Sequence, residues 1–165
     1  TVGTGIGGSL LIYGKPIPTF NHLEMGHISI NPSNKAKNSK GACYFHDECL
    51  EGYASGHSLK KRWKLDSLSN LPDDHALWEE ESELLGKAIL NYMYCFSPQK
   101  IILGGGVIEK EGLIKSIIEK VVLFNNNYIL LPEKMDEFIV KASLNGKSAL
   151  LGAISLAKES VKNEK

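Results

Sequence analysis

Two cysteines and two histidines in the first third of the chain have the spacing of a metal site. They follow one another as H-x15-C-x2-H-x2-C and are His27, Cys43, His46 and Cys49. Thiolate sulfur and imidazole nitrogen suit Zn2+, and four such ligands fill a tetrahedral structural site with no open position. For any one of them the alternative is ordinary packing, as a buried thiol or a histidine bonded to a backbone carbonyl. For the four together, the spacing favours a structural zinc site.

The segment between His27 and Cys43 is polar and carries little that could form a core. A metal bound at both of its ends would replace that missing core, so we expect a zinc-binding loop over residues 27–49. Two carboxylates, Glu24 and Glu51, lie three residues before the first ligand and two after the last. Ordering the loop would also order these carboxylates around a ligand. Glu51 has an alternative role as a cap of the helix that starts beside it.

Glycine-rich strings occur at two places. The first, T-V-G-T-G-I-G-G, occupies residues 1–8, and the second, G-G-G-V, follows a short apolar strand predicted over 100–103. Glycine permits positive φ and lets a ligand approach bare N–H groups, as in loops that hold phosphate. The first string is also compatible with a plain tight turn. The second stands between a strand and a helix, where an open α/β sheet presents backbone amides to a nucleotide.

Hydrophobic periodicity predicts the elements that must position these residues. Strands or short extended pieces are expected at 9–13, 17–20 and 26–30, and later at 100–103 and 137–142. Helices are expected at 51–63, from Asp73 or Asp74 to Phe96, at 109–124 and at 148–161. The order is therefore β-β-β-α(α)-β-α-β-α, an α/β domain that resembles one half of a larger fold. Cys95 is expected to be a core thiol, and the basic triplet at 60–62 a solvated helix end.

Composition excludes several classes of function. Lys plus Arg and Asp plus Glu are equal at 19 each, which gives no electrostatic support for binding nucleic acid or an anionic membrane. No apolar run approaches the ~18 residues of a membrane span. Three cysteines, two of them in a ligand pattern, suit a reducing compartment better than a disulfide framework. A cytoplasmic protein is therefore expected.

Three motifs in their order closely resemble the ROK family (repressors, open reading frames, sugar kinases). They are T-V-G-T-G-I-G-G, H-L-E-M-G-H followed by C-Y-F-H-D-E-C-L-E-G-Y-A-S-G, and I-I-L-G-G-G-V. The C-x2-H-x2-C form is similar to that of the bacterial fructokinase branch. The resemblance implies an actin-like, ribonuclease-H-like fold with a mixed sheet. Residues 1–165 would be its C-terminal lobe, without the N-terminal lobe.

The same resemblance implies the roles of individual residues. Glu24, His27 and Glu51 would contact the hexose, fructose in this branch. The nucleotide contacts that it implies are Thr4 and Gly5 for the ATP phosphates, and Gly104, Gly105 and Gly106 for the adenosine. Mg2+ would accompany ATP, the zinc would be structural, and the complete protein would form a homodimer.

Two parts of the family pattern are not found among residues 1–165. These are the D-x-G-G-T phosphate loop and the catalytic Asp of a G-x-D-N-type stretch. No catalytic residue is therefore assigned, and the chain alone is expected to be inactive as an ATP-dependent hexose kinase. Two alternatives remain open: the effector domain of a ROK-type transcriptional repressor, and a non-catalytic, zinc-stabilised module for sugar binding or protein interaction.

Overall fold

A computed structural model describes residues 1–32, 40–144 and 146–163 of the chain. The helices of these ranges are α1 (Leu50–Ala54), α2 (Gly56–Trp63), α3 (Ala76–Phe96), α4 (Leu113–Asn125), α5 (Met135–Phe138) and α6 (Ser148–Asn163). The strands are β1 (Leu11–Ile12), β2 (Lys15–Pro16), β3 (Ile101–Leu103) and β4 (Ile139–Lys141), and Met25–His27 forms a 3-10 turn. None of the described helices is long and apolar enough to cross a membrane.

Helix α3 forms the centre of the core. Its apolar side chains recur three and four residues apart, and the helix packs against α1 and α4. Leu77 and Leu84 are fully buried. Gly86 allows α4 to approach closely, since a Cβ at this position would lie 2.7 Å from the Cβ of Lys120. The helix that the sequence predicts most strongly is therefore the one on which the rest of the core is assembled.

Two helices begin later than predicted. The side chain of His75, rather than of Asp73 or Asp74, caps α3, because its Nδ1 accepts the N–H of Leu77 at 3.2 Å. Helix α4 begins at Leu113 instead of residue 109. Gly112, at its N-cap, has a φ of +76° and separates the helix from the turns that precede it.

The described strands are short and form two sheets. Strand β3 pairs in parallel with β4, with Ile101 opposite Ile139, and β1 pairs antiparallel with β2. The α/β class is thus confirmed, but the first three predicted strands are mostly absent. The strand predicted over 26–30 begins as the 3-10 turn Met25–His27, and only Ser29 forms a bridge, to Cys49. The strand predicted over 137–142 is shortened because α5 extends through Phe138.

The C-terminal helix α6 agrees with its predicted bounds, but its apolar residues are exposed. Leu150 is 63% exposed and Val161 is 61% exposed. Cys95 is also exposed, so the prediction of a core thiol was wrong. It lies in the last turn of α3, where Tyr94 and Phe96 are exposed as well. The described part of the chain thus leaves apolar side chains exposed both in α6 and in the last turn of α3.

Candidate metal centre and ligand cleft

The four predicted metal ligands lie together. One donor atom from each of His27, Cys43, His46 and Cys49 lies within 4.8 Å of all the others. The Nδ1 of His27 is 3.6 Å from the Sγ of Cys49 and 3.8 Å from the Sγ of Cys43, which is itself 3.8 Å from the Nδ1 of His46. Around a tetrahedral Zn2+, sulfur and nitrogen donors are about 3.5 to 3.6 Å apart. The observed donor set and its spacing therefore fit Zn2+.

Backbone pairing brings these ligands together. Ile28 O accepts the N–H of Leu50 at 3.0 Å, and Glu48 O accepts the N–H of Ile30 at 3.0 Å, so the two segments flank the Ser29–Cys49 bridge. The other cysteine is held by a similar contact, because the N–H of Ala42 donates to Gly52 O at 2.7 Å. The zinc-binding loop predicted over 27–49 includes residues 33–39, which lie outside the described residues.

The two thiols differ in their surroundings. Cys49 is buried, and it caps α1 because its Sγ accepts the N–H of Gly52 at 3.3 Å. Burial raises the pKa of the Cys49 thiol to about 11, so its thiolate needs a cation beside it at neutral pH. Cys43 is half-buried and accepts the N–H of Phe45 at 3.4 Å. Hydrogen bonds from backbone amides to sulfur are typical of thiolates that bind metals.

The second ring nitrogen of His27 faces two carboxylates. Its Nε2 is 3.8 Å from an oxygen of Glu24 and 3.7 Å from Oε1 of Glu51. The side chains of Glu24 and Glu51 are 57% and 28% exposed, so both oxygens remain accessible from solvent. His27 therefore joins the metal-binding cluster on one side to a pair of carboxylates on the other, and these three side chains can exchange hydrogen bonds with hydroxyl groups.

Glu51 does not cap α1, since Cys49 does so. Its Oε2 instead accepts the N–H of Ile6 at 2.8 Å, across 45 residues of sequence. This contact brings the first glycine string, residues 1–8, against the carboxylate pair. Sequence reasoning did not identify the Ile6 amide, because nothing in the local pattern of the glycine string indicates a partner so far along the chain.

The two glycine strings are directly joined by Val2. Its N–H donates to Gly104 O at 2.7 Å, and its carbonyl accepts the N–H of Val107 at 3.1 Å. Gly105 has a φ of +102°, and a Cβ there would lie 2.3 Å from Val2 O, so only glycine fits. A bridge between Val2 and Ile6 closes the first string into a short hairpin tip.

Thr4 and Gly106 line one cleft of about 460 Å3. His57 and Lys60 of α2 line the same cleft, and Asp66 follows in the loop after it. Gly104, Gly105 and Gly106 also line a neighbouring cleft of about 540 Å3. Gly5, by contrast, contacts Glu51 and does not line either cleft. The structure thus brings most of the predicted nucleotide residues to one region.

The basic triplet at the end of α2 was predicted to be a solvated helix end, but two of its three side chains have further contacts. Lys60 lines the cleft, and Arg62 is buried, its side chain only 4% exposed. Arg62 donates to Tyr53 O at 2.8 Å and forms an ion pair with Glu80. Lys60 lies one helical turn after the start of α2. The sequence pattern alone does not show that this position faces the cleft beside the glycine strings.

Comparison with known proteins places this arrangement in a family. The profile of the ROK family matches residues 1–160. The chain belongs to the ROK family. A fructokinase of Lactococcus lactis subsp. cremoris is 38% identical over 159 residues, which are 95% of this chain and 54% of that protein. The chain spans about half the length of the curated relatives it matches.

Solved structures of ROK proteins have the same fold. The ROK hexokinase of Thermus thermophilus superposes with a TM-score of 0.75 at 24% identity, over 99% of this chain and 57% of the hexokinase. A ROK family glucokinase of Streptomyces griseus, solved with glucose and AMPPNP, gives a TM-score of 0.69 at 23% identity, over 96% of this chain and 59% of the glucokinase. At these identities the likeness supports the α/β fold of the family.

Proposed function

We propose that this chain is the C-terminal lobe of an ATP-dependent sugar kinase, and that its sugar is fructose. The observation that carries the proposal is the position of His27, whose Nδ1 faces Cys43 and Cys49 while its Nε2 faces two carboxylates. The choice of fructose is supported by the name of the Lactococcus lactis relative and by the resemblance of the C-x2-H-x2-C form. The same proposal takes residues 1–165 as this C-terminal lobe.

In this proposal Glu24, His27 and Glu51 bind the sugar. Carboxylate oxygens accept hydrogen bonds from adjacent hydroxyls, and the Nε2 of His27, which carries the ring proton when Nδ1 binds the metal, can donate to a third. Bound zinc would supply no redox or acid-base step; it would fix the ring of His27 and the ends of the loop. Cys43 and Cys49 bind it only as free thiolates, which is why the proposal includes a reducing, cytoplasmic setting.

The nucleotide would occupy the clefts beside the glycine strings. Thr4 and Gly5 are proposed for the phosphates, and Gly104, Gly105 and Gly106 for the adenosine. Lys60, in the cleft that Thr4 and Gly106 line, adds a cation that suits a phosphate. Mg2+ would enter with ATP and spread the charge of the transferring phosphoryl group.

The proposal assigns the catalytic base and the facing phosphate loop to an N-terminal lobe. The exposed apolar residues of α6 and of β1 support this assignment, because such surfaces in one lobe are commonly buried by another. The Lactococcus lactis fructokinase and the Thermus thermophilus hexokinase both extend beyond the matched part by nearly half of their own length. The proposed homodimer concerns the complete protein.

Complementation with a second lobe tests this function. The chain is co-expressed with the N-terminal half of the Lactococcus lactis fructokinase, and fructose phosphorylation is followed in a coupled assay with ATP and Mg2+. We expect turnover from the pair and none from the chain alone, because general-base help worth about 10²- to 10⁴-fold is missing from the single lobe. Turnover above ~1 s⁻¹ by the chain alone would contradict the assignment of the base to the other lobe.

Substitution of Glu24 tests the sugar site in the same complemented enzyme. Glu24→Ala should raise the KM for fructose by about tenfold or more and change the KM for ATP by less than about threefold, since the lost interaction is with the sugar. Glu133→Ala, which removes an exposed carboxylate outside the site, is the matched control. Equal changes for both substrates, or a change in thermal stability alone, would make Glu24 a structural residue.

A further inference from the structure

The two carboxylate oxygens of Glu51 face different parts of the molecule. Oε1 lies 3.7 Å from Nε2 of His27, on the side of the metal-binding loop. Oε2 accepts the N–H of Ile6 at 2.8 Å, in a partly buried hydrogen bond. Glu51 therefore bridges two segments that are remote in sequence and that the proposed function assigns to different substrates.

We propose that Glu51 is a positioning residue, which ties the glycine loop (residues 1–8) to the metal-binding loop through the N–H of Ile6. Metal binding would then hold the glycine loop in place as well as the sugar carboxylates. The roles of the two loops rest on the proposed function. The mechanical link between them does not, because it concerns only the hydrogen bond and the segments on either side of it.

Helix α1 connects the metal ligands to this bond. It begins directly after Cys49, whose sulfur caps its first turn by accepting the N–H of Gly52. Glu51 lies in that same turn. An ion bound by Cys49 therefore restrains the backbone from which the Glu51 side chain extends, since the cap and the side chain share one helical turn.

Close packing on the glycine side supports the link. A Cβ at Gly5 would lie 2.7 Å from Oε2 of Glu51, and a Cβ at Gly26 would lie 2.1 Å from Ile6 O. Gly26 belongs to the 3-10 turn that ends at His27. The glycine loop thus fits between the first metal-ligand segment and α1, and the bond to Glu51 is the side-chain contact that fixes it there.

The restraint can pass on to the second glycine string. Val2 is bonded through its N–H to Gly104 O and through its carbonyl to the N–H of Val107. A shift of Ile6 would move Val2, to which it is bridged, and with it the edge of the cleft lined by Thr4 and Gly106. Binding on the sugar side and on the nucleotide side would consequently be coupled, and such coupling is reciprocal.

Hydrogen exchange of the Ile6 amide, measured by NMR on the zinc-loaded 165-residue chain without sugar or nucleotide, tests the link. Glu51→Ala should accelerate exchange of this amide by about ten- to a hundredfold, the range for a lost hydrogen bond to a charged acceptor. Glu51→Gln keeps an oxygen acceptor and should restore most of the protection. The amide of Trp78, bonded to His75 O at 2.9 Å near the start of α3 and outside both glycine strings, is the internal control and should change less than about threefold.

A second pair of variants tests the link without changing Glu51. Gly5→Ala introduces a Cβ against Oε2 and should also accelerate Ile6 exchange, whereas Gly3→Ala has no heavy atom within 4 Å of its Cβ and should not. If Glu51→Ala fails to fold, the comparison of Gly5→Ala with Gly3→Ala still tests the bond between Glu51 and the N–H of Ile6. Removing zinc with a chelator should produce the same selective loss of Ile6 protection.

Three results would overturn the proposal. They are unchanged Ile6 exchange in Glu51→Ala, equal acceleration at Ile6 and Trp78, and an effect of Gly3→Ala as large as that of Gly5→Ala. Ile6 exchange that does not respond to zinc removal would overturn the metal-dependent part. These measurements use no substrate and no second lobe. Failure of the complemented enzyme to phosphorylate fructose would therefore overturn the kinase proposal and leave the link between the two loops untouched.

Discussion

Helices α3 and α6 are both long, with 21 and 16 residues, and both carry apolar residues at helical spacing. The apolar residues of α3 are buried between α1 and α4, and Leu77 and Leu84 are fully inaccessible. In α6, by contrast, Leu150 and Val161 are more than half exposed. Periodicity thus specifies a helix with an apolar face, but burial requires a partner surface, and the described part of the chain buries the apolar face of α3 while it leaves Leu150 and Val161 of α6 exposed.

The metal-binding part of the candidate site lies against the buried helix α3 and not against the exposed helix α6. Helix α1, which begins after Cys49 and carries Glu51, packs against both α3 and the 3-10 turn that ends at His27. The core therefore supports the metal ligands and the carboxylates. Helix α6 contributes Ser148 and Ala149 to the edge of the cleft that Gly104, Gly105 and Gly106 line, so the exposed helix reaches the candidate site at its margin.

The largest expected effect is the loss of metal from the packed side. Cys49→Ser removes one of four ligands, and we expect the bound zinc to fall from about one equivalent to near zero, with lost order in residues 40–52. Metal analysis of protein purified without added zinc provides the measurement. Cys95→Ser makes the same change at an exposed cysteine outside the cluster and should keep its zinc. Zinc retained by Cys49→Ser would contradict the assigned ligand set.

A matched pair of leucines tests the difference between the two helices directly. Leu84→Ala in α3 should lower the free energy of unfolding by about 2 to 5 kcal/mol, because the removed side chain leaves a cavity in the core. Leu150→Ala in α6 should change it by less than about 0.5 kcal/mol, since the side chain is already exposed. Urea unfolding measures both. Similar losses for the two variants would show that α6 is buried in solution.

Glu81, in the buried helix α3, should make the stability of the protein depend on pH. It is fully buried, neither oxygen has a hydrogen-bond partner in the described residues, and Glu80 and Arg62 are the charged groups that act on it. Burial, reinforced by the charge of Glu80, raises its pKa well above the ordinary value in the folded protein. Folding therefore favours the protonated form of this carboxyl group relative to the unfolded chain.

This contribution to stability is present in full below the unfolded pKa of about 4.3 and is lost as the pH rises towards the folded pKa. The side chain of the Glu81→Gln variant cannot ionise. The free energy of unfolding of the variant should therefore rise relative to that of the wild type between pH 5 and pH 8, by at most about 1.4 kcal/mol for each unit of pH. Urea unfolding at both pH values, with the exposed variant Glu133→Gln as control, measures the difference. A constant difference would mean that Glu81 is ionised in the folded state.

The smallest effect concerns the exposed side. Leu150→Glu should leave the free energy of unfolding of the chain within about 0.5 kcal/mol of the wild type, because an exposed position tolerates charge. The same substitution should weaken association with an added N-terminal lobe, if that lobe covers α6. Analytical ultracentrifugation of the mixture gives the readout. Unchanged association would place the lobe interface elsewhere on the chain.

Local patterns predicted those features that depend on neighbouring residues. The ligands Cys43, His46 and Cys49 lie within seven positions of one another, and only His27 had to be added from a distance. The α3 and α6 helices were predicted within about three residues at each end. The strand predicted over 100–103 was confirmed as β3. The first three strands were predicted poorly, because a strand exists only where a partner edge pairs with it, and residues 26–30 have a single bridge.

The sequence by itself determined the spacing of the two cysteines and two histidines, the glycine strings and the long helices, since spacing and backbone preference act over a few residues. Only the tertiary structure decided that Glu51 bonds to Ile6, that Arg62 is buried against Glu80 and that α6 remains exposed. The two bonded pairs join residues 45 and 18 positions apart, and the exposure of α6 depends on what the rest of the fold leaves uncovered. Contacts of this kind depend on how the elements pack against one another, which local sequence patterns do not specify.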